Sequence, residues 1–273
     1  MPDGWADHPL AVKIYVDDLN NVEKIRHEGS VSVITEGKQV LLVHAEKSEE
    51  NFSKIKDRAQ EMNMMVNAEK TQLLCISANP YSEVKSYIRH ENKELKSVDE
   101  LKILGFWFGN KPTVEIHVQK MCSKFRSKLW TLRKLKKAGM STEDLLKVYT
   151  TVIRAVADFA TPTYHSLLNS TQTNQIEQLQ RRALKIIYGH EVPYKDSLET
   201  SGIPKLHDRR ETLVKNFAIK AANSNRFSDG WFPRKPNTNH NTRNPHKYLE
   251  TKARTERMRK NPINNMRTIL NKI

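Results

Sequence analysis

The spacing of apolar residues changes near residue 114, and this change divides the chain into two regions of different secondary structure. Before residue 110, short apolar runs bounded by polar or turn-forming residues predict mixed α and β structure. From about residue 114 onward, apolar residues recur every three or four positions, which predicts successive amphipathic helices. The 273 residues suffice for one large domain or two ordinary ones, and the expected fold class is α+β.

The first region contains several β-rich runs and one helical segment. Strands are predicted over residues 11–16, 38–44, 71–77 and 101–108, together with a hairpin over 84–98 that turns at Glu91-Asn92. Between the second and third strands, Ser48 is a favourable N-cap. The helix that follows it has its buried stripe at Phe52, Ile55, Ala59 and Met62.

The second region predicts four helices and a C-terminal tail. The first helix covers 114–138 and stops at Gly139, and the second begins at the capping sequence 141–144 and ends or kinks at Pro162. The third carries Ile176, Leu179, Ala183, Ile186 and Ile187 and closes at Gly189, and the fourth covers about 206–223. Residues 233–247 have almost nothing to bury and predict a flexible linker before a short basic helix that begins near Tyr248.

Composition excludes several classes of protein. No run of about 18 apolar residues occurs, which excludes a transmembrane helix and a membrane partner. The acidic, proline-containing start is unlike a signal peptide. Cys75 and Cys122 are the only cysteines, which argues against a zinc site built on cysteine pairs and against a disulfide scaffold. An intracellular location, in the cytoplasm, the nucleus or both, is expected.

Charge is distributed very unevenly along the chain. Residues 1–100 carry 13 Lys and Arg against 18 Asp and Glu, whereas residues 101–273 carry 33 against 13. A polyanion is the expected partner of the basic part, and nucleic acid is the usual polyanion. The alternative is a well-solvated surface, which charge alone does not exclude.

Basic residues flank the apolar stripe of the helix predicted at 114–138. The candidate nucleic-acid contacts are Lys120, Lys124, Arg126, Lys128, Arg133, Lys134 and Lys137. The alternative is a surface helix kept soluble by its lysines. Lys136 falls on the apolar stripe, so either the end of this helix frays or is open, or the Lys136 side chain snorkels toward polar surroundings.

The C-terminal tail and two arginine pairs are further basic features. Between Arg234 and Lys272 there are 11 Lys and Arg, and the run 252–260 is either a nucleic-acid patch or a nuclear-localisation-like sequence. Its candidate contacts are Arg254, Arg257, Arg259 and Lys260. Pairs 181–182 and 209–210 are most simply solvent-facing, and His240 and His246 are more readily explained as solvated loop residues than as metal ligands.

An acidic pair follows the first apolar strand, in the sequence Tyr15-Val16-Asp17-Asp18. Adjacent carboxylates at a tight turn are oxygen ligands of the kind that Mg²⁺ prefers. Two Mg²⁺ ions about 4 Å apart can hold the attacking and leaving oxygens of a phosphoryl transfer, although a further carboxylate must bridge them. The alternative is a solvated turn.

In this context the chain resembles the C-terminal part of a non-LTR (LINE-type) retrotransposon reverse transcriptase. The Tyr-Val-Asp-Asp sequence resembles the catalytic hairpin, and residues 44–77, with Asn67, Lys70 and Thr71, resemble the helix and strand that follow it in the palm. LKILGFWFG at 101–109 resembles the strand that enters the primer grip. Residues 127–160 and 176–189 resemble the helical thumb and the segment after it. The resemblance covers about residues 10–225.

The resemblance implies an RNA-directed DNA polymerase with RNA template and DNA primer, or an RNA–DNA hybrid, as partners. Asp17 would be the direct Mg²⁺ ligand and Asp18 the supporting one, while Lys70 would lie near the leaving pyrophosphate or be a plain surface lysine. The strand 103–108 would hold the primer terminus, although Trp107 and Phe108 are equally explained by packing. The expected organisation is a truncated palm at 1–110, a helical thumb-like region at 111–230 and a basic, largely flexible tail at 231–273.

One departure from the family concerns the catalytic carboxylates. The family's first catalytic Asp lies well upstream of the hairpin, but only 14 residues precede Tyr15, and Asp3 and Asp7 lie too close to it in sequence to substitute comfortably. The fingers are also missing, so the chain is expected to need a separate N-terminal polymerase part and not to polymerise alone. The alternatives are a non-catalytic nucleic-acid-binding remnant and a helical scaffold protein whose charge serves only solubility.

Overall fold

The computed structural model describes most of the chain. The described residues are 10–16, 26–27, 30–35, 38–44, 48–61, 71–77, 87–90, 93–225, 227–235, 247–250 and 253–273. The chain divides into two compact units, 1–117 and 118–273. Strands lie in the first unit and helices dominate the second, so the fold is α+β as expected.

Five antiparallel strands form the sheet of the first unit. They are β1 (Leu10–Val16), β2 (Arg26–His27), β3 (Ser30–Thr35), β4 (Lys38–His44) and β5 (Gln72–Ser77). Their spatial order is β2-β3-β4-β1-β5, so β1 is an interior strand that pairs with a neighbour on each side. The strands predicted at 11–16, 38–44 and 71–77 are all present.

A helix and the start of β5 supply buried residues of the first unit. Helix α1 (Ser48–Glu61) begins at the predicted cap, and its Phe52 is buried. Leu74 of β5 is fully buried and clusters with Leu101 and Ile103 from later in the chain. These side chains join the sheet to the hairpin that follows, since Val98 also donates its N–H to the carbonyl of Leu73 over 2.8 Å.

Two short hairpins complete the first unit. Strands β6 (Tyr87–His90) and β7 (Lys93–Lys96) flank the predicted turn at 91–92, which lies outside the described residues. The prediction of one strand over 101–108 is wrong, because β8 (Glu100–Ile103) and β9 (Phe106–Gly109) form a hairpin instead. Leu104 and Gly105 between them have φ angles of +47° and +85°, and positive φ at both central residues is typical of a type I′ turn.

The long helix α2 (Glu115–Lys137) confirms the helix predicted at 114–138. It ends at Gly139, whose φ of +85° is a left-handed conformation that favours glycine. The N–H of Met140 bonds the carbonyl of Leu135 over 3.2 Å, and the N–H of Gly139 bonds that of Lys136 over 3.1 Å. These two bonds form a Schellman motif, which satisfies carbonyls at the helix end.

The second predicted helix is interrupted. Helix α3 (Thr142–Val148) is capped by Ser141, and it continues through a π-helical turn at Tyr149–Ile153 into α4 (Ala155–Asp158). Pro162 does not end this helix as predicted. It lies in the first turn of α5 (Thr161–Tyr164), where its missing N–H costs no hydrogen bond. Helix α4 has already ended at Asp158, and Ala160 has a left-handed φ of +54°.

Three further helices form the middle of the second unit. They are α6 (Ser170–Tyr188), α7 (Tyr194–Ser201) and α8 (Leu206–Ala222), of which α6 and α8 match the predicted third and fourth helices. Asn169 begins α6 with a reciprocal capping box, and Gly189 ends it as predicted. The predicted stripe of α6 is buried except at Ile186, which is partly exposed.

The C-terminal segment is packed against the second unit. Helices α9 (Ser228–Trp231), α10 (Glu256–Arg259) and α11 (Pro262–Leu270) lie here. Phe232, Tyr248 and Met266 are buried with Val214 and Ala218 of α8. The expectation of a flexible tail is therefore wrong for residues 247–250 and 253–273, because their few apolar side chains complete one buried cluster. Residues 236–246 of the predicted linker lie outside the described residues.

The sequence raised the questions of a membrane-spanning helix and of the state of the two cysteines. Among the helices in the described ranges, none combines the length and the hydrophobicity that are needed to span a membrane. Cys75 and Cys122 are not joined in a disulfide, and burial raises the pKa of each thiol above its ordinary value. Both thiols are therefore protonated at neutral pH.

Candidate nucleic-acid interface

The strand that leads to the acidic pair is held on both sides. Tyr15 of β1 pairs with Val40 of β4 and with Gln72 of β5. Asp17, Asp18 and Lys70 themselves lie outside the described residues. Because β1 and β5 are antiparallel, the end of β1 at Val16 lies beside the start of β5 at Gln72. The strand that precedes Asp17 and Asp18 in the sequence therefore ends next to the strand that follows Lys70.

Helix α2 places its apolar residues on one face and, apart from Lys136, its basic residues outside that face. Its predicted stripe is buried throughout, at Val118, Met121, Cys122, Phe125, Leu129 and Leu132. Residues three and four positions apart lie on one face of a helix, so the remaining positions of α2 face away from this core. The basic residues of α2 are thus presented outward by a helix that is fixed along its other face.

The predicted basic residues lie on two sides of that buried stripe. On one side are Lys120, Lys124 and Lys128, and on the other are Arg126, Arg133, Lys134 and Lys137. All are exposed except Lys128, which is partly buried. The second set is called here the Arg side of α2. Glu115 is the only carboxylate in α2, so neither side carries a compensating negative charge on this helix from residue 116 onward.

Lys136 is separated from both sides. Its ammonium donates a hydrogen bond to the carbonyl of Ile187 over 3.1 Å, at the C-terminal end of α6. The last carbonyls of a helix lack intrahelical partners and carry partial negative charge, which makes them good acceptors for an ammonium group. The side chain of Lys136 thus leaves the apolar stripe by snorkelling, and Lys136 is not among the candidate phosphate-binding residues.

Trp130, which was not predicted as a site residue, lies within the Arg side. Its side chain is 59% exposed, and the ammonium of Lys134 lies 5.1 Å from the centre of its ring. The missed signal is that Trp130 falls off the apolar stripe while Arg126, Arg133 and Lys134 stand four, three and four positions away. A large aromatic residue at such a position has no role in the helix core.

The C-terminal cations differ in how far they are neutralised. Arg259 forms an ion pair with Glu256 over 2.9 Å, and Lys260 lies 3.5 Å from the same carboxylate. Arg254 and Arg257 are exposed. All four lie in the segment 253–273, whose helix α11 packs on α8 through Met266. Pairing with Glu256 reduces the charge that Arg259 and Lys260 offer to a phosphate.

One arginine pair differs from expectation. Arg209 donates to a carboxylate oxygen of Asp158 over 3.2 and 3.3 Å. Arg210 was expected to face solvent, and this is wrong because its side chain is 0% exposed. It stands four residues after Leu206 and four before Val214, so the spacing of α8 places it on the buried face. Burial lowers the pKa of its guanidinium.

A cluster beside Arg210 carries potential metal ligands. His165, His207 and Glu211 offer ligand atoms that lie within 4.8 Å of one another. However, Nε of Arg210 donates a hydrogen bond to Nδ1 of His165 over 3.4 Å, so a bound cation would lie next to a buried guanidinium. Burial, with the charges of Arg210 and His207, lowers the pKa of His165 to about 4. The arrangement disfavours a divalent cation, and His240 and His246 lie outside the described residues.

Comparison with known proteins leaves the site to be interpreted from its own geometry. No family model, no curated protein and no solved structure matches the chain. The clearest functional feature of the described residues is the basic outer surface of α2. Its guanidinium and ammonium groups are donors suited to phosphate oxygens, and arginine can bind them through two parallel hydrogen bonds.

Proposed function

We propose that this chain is part of an RNA-directed DNA polymerase of the non-LTR retrotransposon type. The observation that carries the proposal is the position of β1, an interior strand of a five-stranded antiparallel sheet that ends at Val16. Asp17 and Asp18 follow this strand directly in the sequence. Carboxylates that follow a strand held on both sides have a rigid support, which metal-dependent phosphoryl transfer requires.

In this proposal the acidic pair binds Mg²⁺ and the lysine assists the leaving group. Asp17 is the direct ligand and Asp18 the supporting one, since Mg²⁺ is bound in proteins mainly by carboxylate oxygens and water. Lys70 precedes β5, whose start lies beside the end of β1, and an ammonium group there would stabilise charge on the departing pyrophosphate. A complete site uses two Mg²⁺ ions and one further carboxylate.

The basic surface binds the template and primer in the same proposal. The outward cations of α2 contact phosphates of the RNA template and the DNA primer, and Arg254 and Arg257 are further exposed cations of the second unit. Phosphate contacts fix register and orientation without reading sequence, as a polymerase requires. The balance of charge in residues 101–273, 33 basic against 13 acidic side chains, supports a polyanionic partner.

A second candidate function is nucleic-acid binding without catalysis. The specific observation in its favour is that the basic surface of α2 belongs to a helix whose apolar stripe is fully packed. This surface therefore forms without any contribution from Asp17 or Asp18. The two functions differ in one requirement, because only polymerisation depends on the acidic pair.

Primer extension separates the two candidates. The purified chain, alone and together with a separate N-terminal polymerase part that carries the fingers and the upstream catalytic Asp, is incubated with an RNA template, a DNA primer, deoxynucleotides and Mg²⁺, beside an Asp17→Asn/Asp18→Asn variant. Extension that disappears in the variant supports the polymerase. Absence of extension together with binding supports the non-catalytic function.

Salt dependence of binding provides the second readout in the same preparation. Each phosphate that is neutralised contributes a slope of about −0.9 to log K against log salt on duplex DNA. A slope of magnitude above about 3 is expected from the cations of α2. Binding that does not respond to salt, or no binding at all, contradicts both candidates, and the basic residues would then serve only solubility.

A further inference from the structure

We infer that the Arg side of α2 binds unpaired nucleotides, with Trp130 stacking on one base and the surrounding cations holding the phosphates. This inference rests on the proposed nucleic-acid-binding function and names the form of nucleic acid that this surface takes. The ligand class is a single-stranded stretch of RNA or DNA, because both offer the same base faces and phosphates.

The first observation is the exposure of the indole. Trp130 is 59% exposed, whereas its neighbours Leu129 and Leu132 on the same helix are buried. The core beneath α2 is therefore complete without Trp130. An aromatic side chain that is large, rigid and outward-facing offers a flat apolar surface, and such side chains are typical of stacking platforms for bases.

The second observation is the arrangement of charge around the ring. Arg126 lies one turn before Trp130, Arg133 and Lys134 lie one turn after it, and Lys137 lies two turns after it. At 1.5 Å per residue, the cations from Arg126 to Lys137 extend over about 16 Å along the helix axis. A strand lying along this side meets positive charge both before and after the nucleotide that stacks on the indole.

The third observation is the contact between Lys134 and the ring. The ammonium lies 5.1 Å from the ring centre, which is a cation–π geometry, and the side chain is still 59% exposed to an incoming base. The same ammonium also lies within reach of a phosphate next to the stacked base. One side chain thus orients the ring and contributes charge.

The geometry favours unpaired nucleotides over a duplex. Inside a duplex both faces of each base are covered by neighbouring bases, so an indole on a helix surface cannot stack there without disrupting the pairing. Phosphate contacts, in contrast, form with either ligand. Removal of the indole should therefore weaken binding to a single strand and leave binding to a duplex nearly unchanged.

The test is a titration of the full chain with labelled oligonucleotides. The probes are a 20-nucleotide oligo(dT), an oligo(rU) of the same length and a blunt 20-base-pair duplex, each at two salt concentrations. The variants are Trp130→Ala and Trp130→Phe, with Phe217→Ala as a matched control because Phe217 is an exposed aromatic residue on a different helix, α8. Far-UV circular dichroism checks that each variant is folded.

Trp130→Ala is expected to weaken binding to both single strands roughly 5- to 150-fold and binding to the duplex less than about 2-fold. Trp130→Phe retains most of the affinity because a phenyl ring also stacks, and Phe217→Ala changes nothing. The salt slope is the same in wild type and Trp130→Ala, since the indole carries no charge. Binding also quenches tryptophan fluorescence in wild type and much less in Trp130→Phe.

Other outcomes overturn the inference, and they identify which proposal fails. Equal loss on single strand and duplex means that Trp130 supports the cations and does not stack. No loss on either ligand means that this side chain is not in the site, while salt-dependent binding by wild type leaves the proposed function intact. If wild type binds neither ligand, the proposed function fails and this inference fails with it.

Discussion

His117 is a buried titratable residue near the start of α2, and its surroundings favour the neutral imidazole. The ring is 4% exposed, stacks on Phe106 with 4.0 Å between ring centres, and accepts a hydrogen bond at Nδ1 from the N–H of Trp107 over 3.4 Å. Burial lowers the pKa of His117 to about 4 from the ordinary 6.5. The imidazole is therefore neutral in the folded protein at pH 5.

This shift predicts that acidification destabilises the fold. Between pH 6.5 and 4 the unfolded chain binds a proton at His117 and the folded chain does not, so the stability present above pH 6.5 falls as the pH falls. At pH 5 the loss assigned to His117 is about 2 kcal/mol. Urea unfolding at pH 7 and pH 5 measures it, with NMR titration of the imidazole giving the pKa directly.

The control is His117→Asn, whose carbonyl oxygen keeps an acceptor for the N–H of Trp107 but binds no proton in this range. The loss of stability between pH 7 and pH 5 should be smaller in the variant by about 1–2 kcal/mol. His165, whose pKa is also lowered to about 4, contributes in the same direction and is unchanged by the substitution. The same loss in wild type and variant would contradict the assignment to His117.

Leu104 has a left-handed backbone conformation that suits Asn or Gly better than Leu. Its φ is +47° in the turn between β8 and β9, and its side chain is 55% exposed. Left-handed φ costs an ordinary L-residue about 1–2 kcal/mol, whereas Asn tolerates it and Asn-Gly is the preferred type I′ pair. Leu104→Asn should raise the free energy of unfolding by about 1 kcal/mol in urea titrations.

Leu104→Val provides the opposite control for this turn. Val is branched at Cβ and accommodates positive φ poorly, so this variant should be less stable than wild type. If Asn and Val change stability in the same direction, backbone conformation does not dominate at this position, and loss of the leucine side chain would explain both results.

At the scale of elements, a buried hydrogen-bond network fixes how the helices of the second unit pack. Gln180 of α6 is fully buried; its side chain accepts a bond from the hydroxyl of Tyr149 over 2.6 Å and donates to the carbonyl of Pro204 over 2.9 Å. It also donates to the hydroxyl of Tyr194, which in turn bonds Glu177. One amide thus links α6 with the π-helical turn, α7 and the loop before α8.

Replacement of this amide should be costly. Gln180→Leu keeps the approximate volume but leaves the Tyr149 hydroxyl and the Pro204 carbonyl without their partner, and each unsatisfied buried group costs about 1–3 kcal/mol. The free energy of unfolding should fall by about 2–4 kcal/mol in urea titrations. Gln178→Leu, at an exposed position of α6, should change it by less than about 0.5 kcal/mol. Similar small effects in both variants would show that the network contributes little.

The sequence predicted elements where the local pattern is strong and failed where a local signal was weak or was outweighed by another. The stripe of α2 and the Gly139 stop follow from helical period and a single glycine, so both are confirmed. The hairpin at 100–109 was not predicted, because Leu-Gly is a weaker turn signal than Asn-Gly. Gly105 alone indicated a possible turn within the apolar run. Arg210 was placed in solvent because its charge outweighed its position between Leu206 and Val214.

At the scale of the whole molecule, the candidate site could be predicted only in part. The basic residues of α2 were identified from their spacing, and the structure presents them as expected except for the partly buried Lys128. Trp130 was not predicted, because the candidate residues of α2 were chosen by their charge. The neutralisation of Arg259 and Lys260 by Glu256 depends on the short helix α10, which begins at Glu256 and not near Tyr248 as predicted.

The C-terminal segment is a packed part of the second unit and not a solvated tail. Met266 of α11 is 2% exposed and lies in one cluster with Val214, Ala218 and Tyr248. Asn271 reinforces the contact, since its side chain accepts a bond from the N–H of Tyr248 over 2.9 Å and donates to the carbonyl of that residue over 3.1 Å. The segment therefore both buries apolar surface and pairs with the chain that precedes it.

Met266→Ala tests this packing directly. Removal of a buried methionine side chain leaves a cavity and should lower the free energy of unfolding by about 2–4 kcal/mol in urea titrations. The control is Ile273→Ala, because Ile273 lies in the same segment but is 68% exposed, and its loss should cost less than about 0.5 kcal/mol. A flexible tail would give two equally small values, whereas a packed segment gives a large effect at Met266 alone.

The packed result would also mean that the exposed cations Arg254 and Arg257 are held on the folded surface. Their removal should then lower the salt slope of nucleic-acid binding without changing the free energy of unfolding.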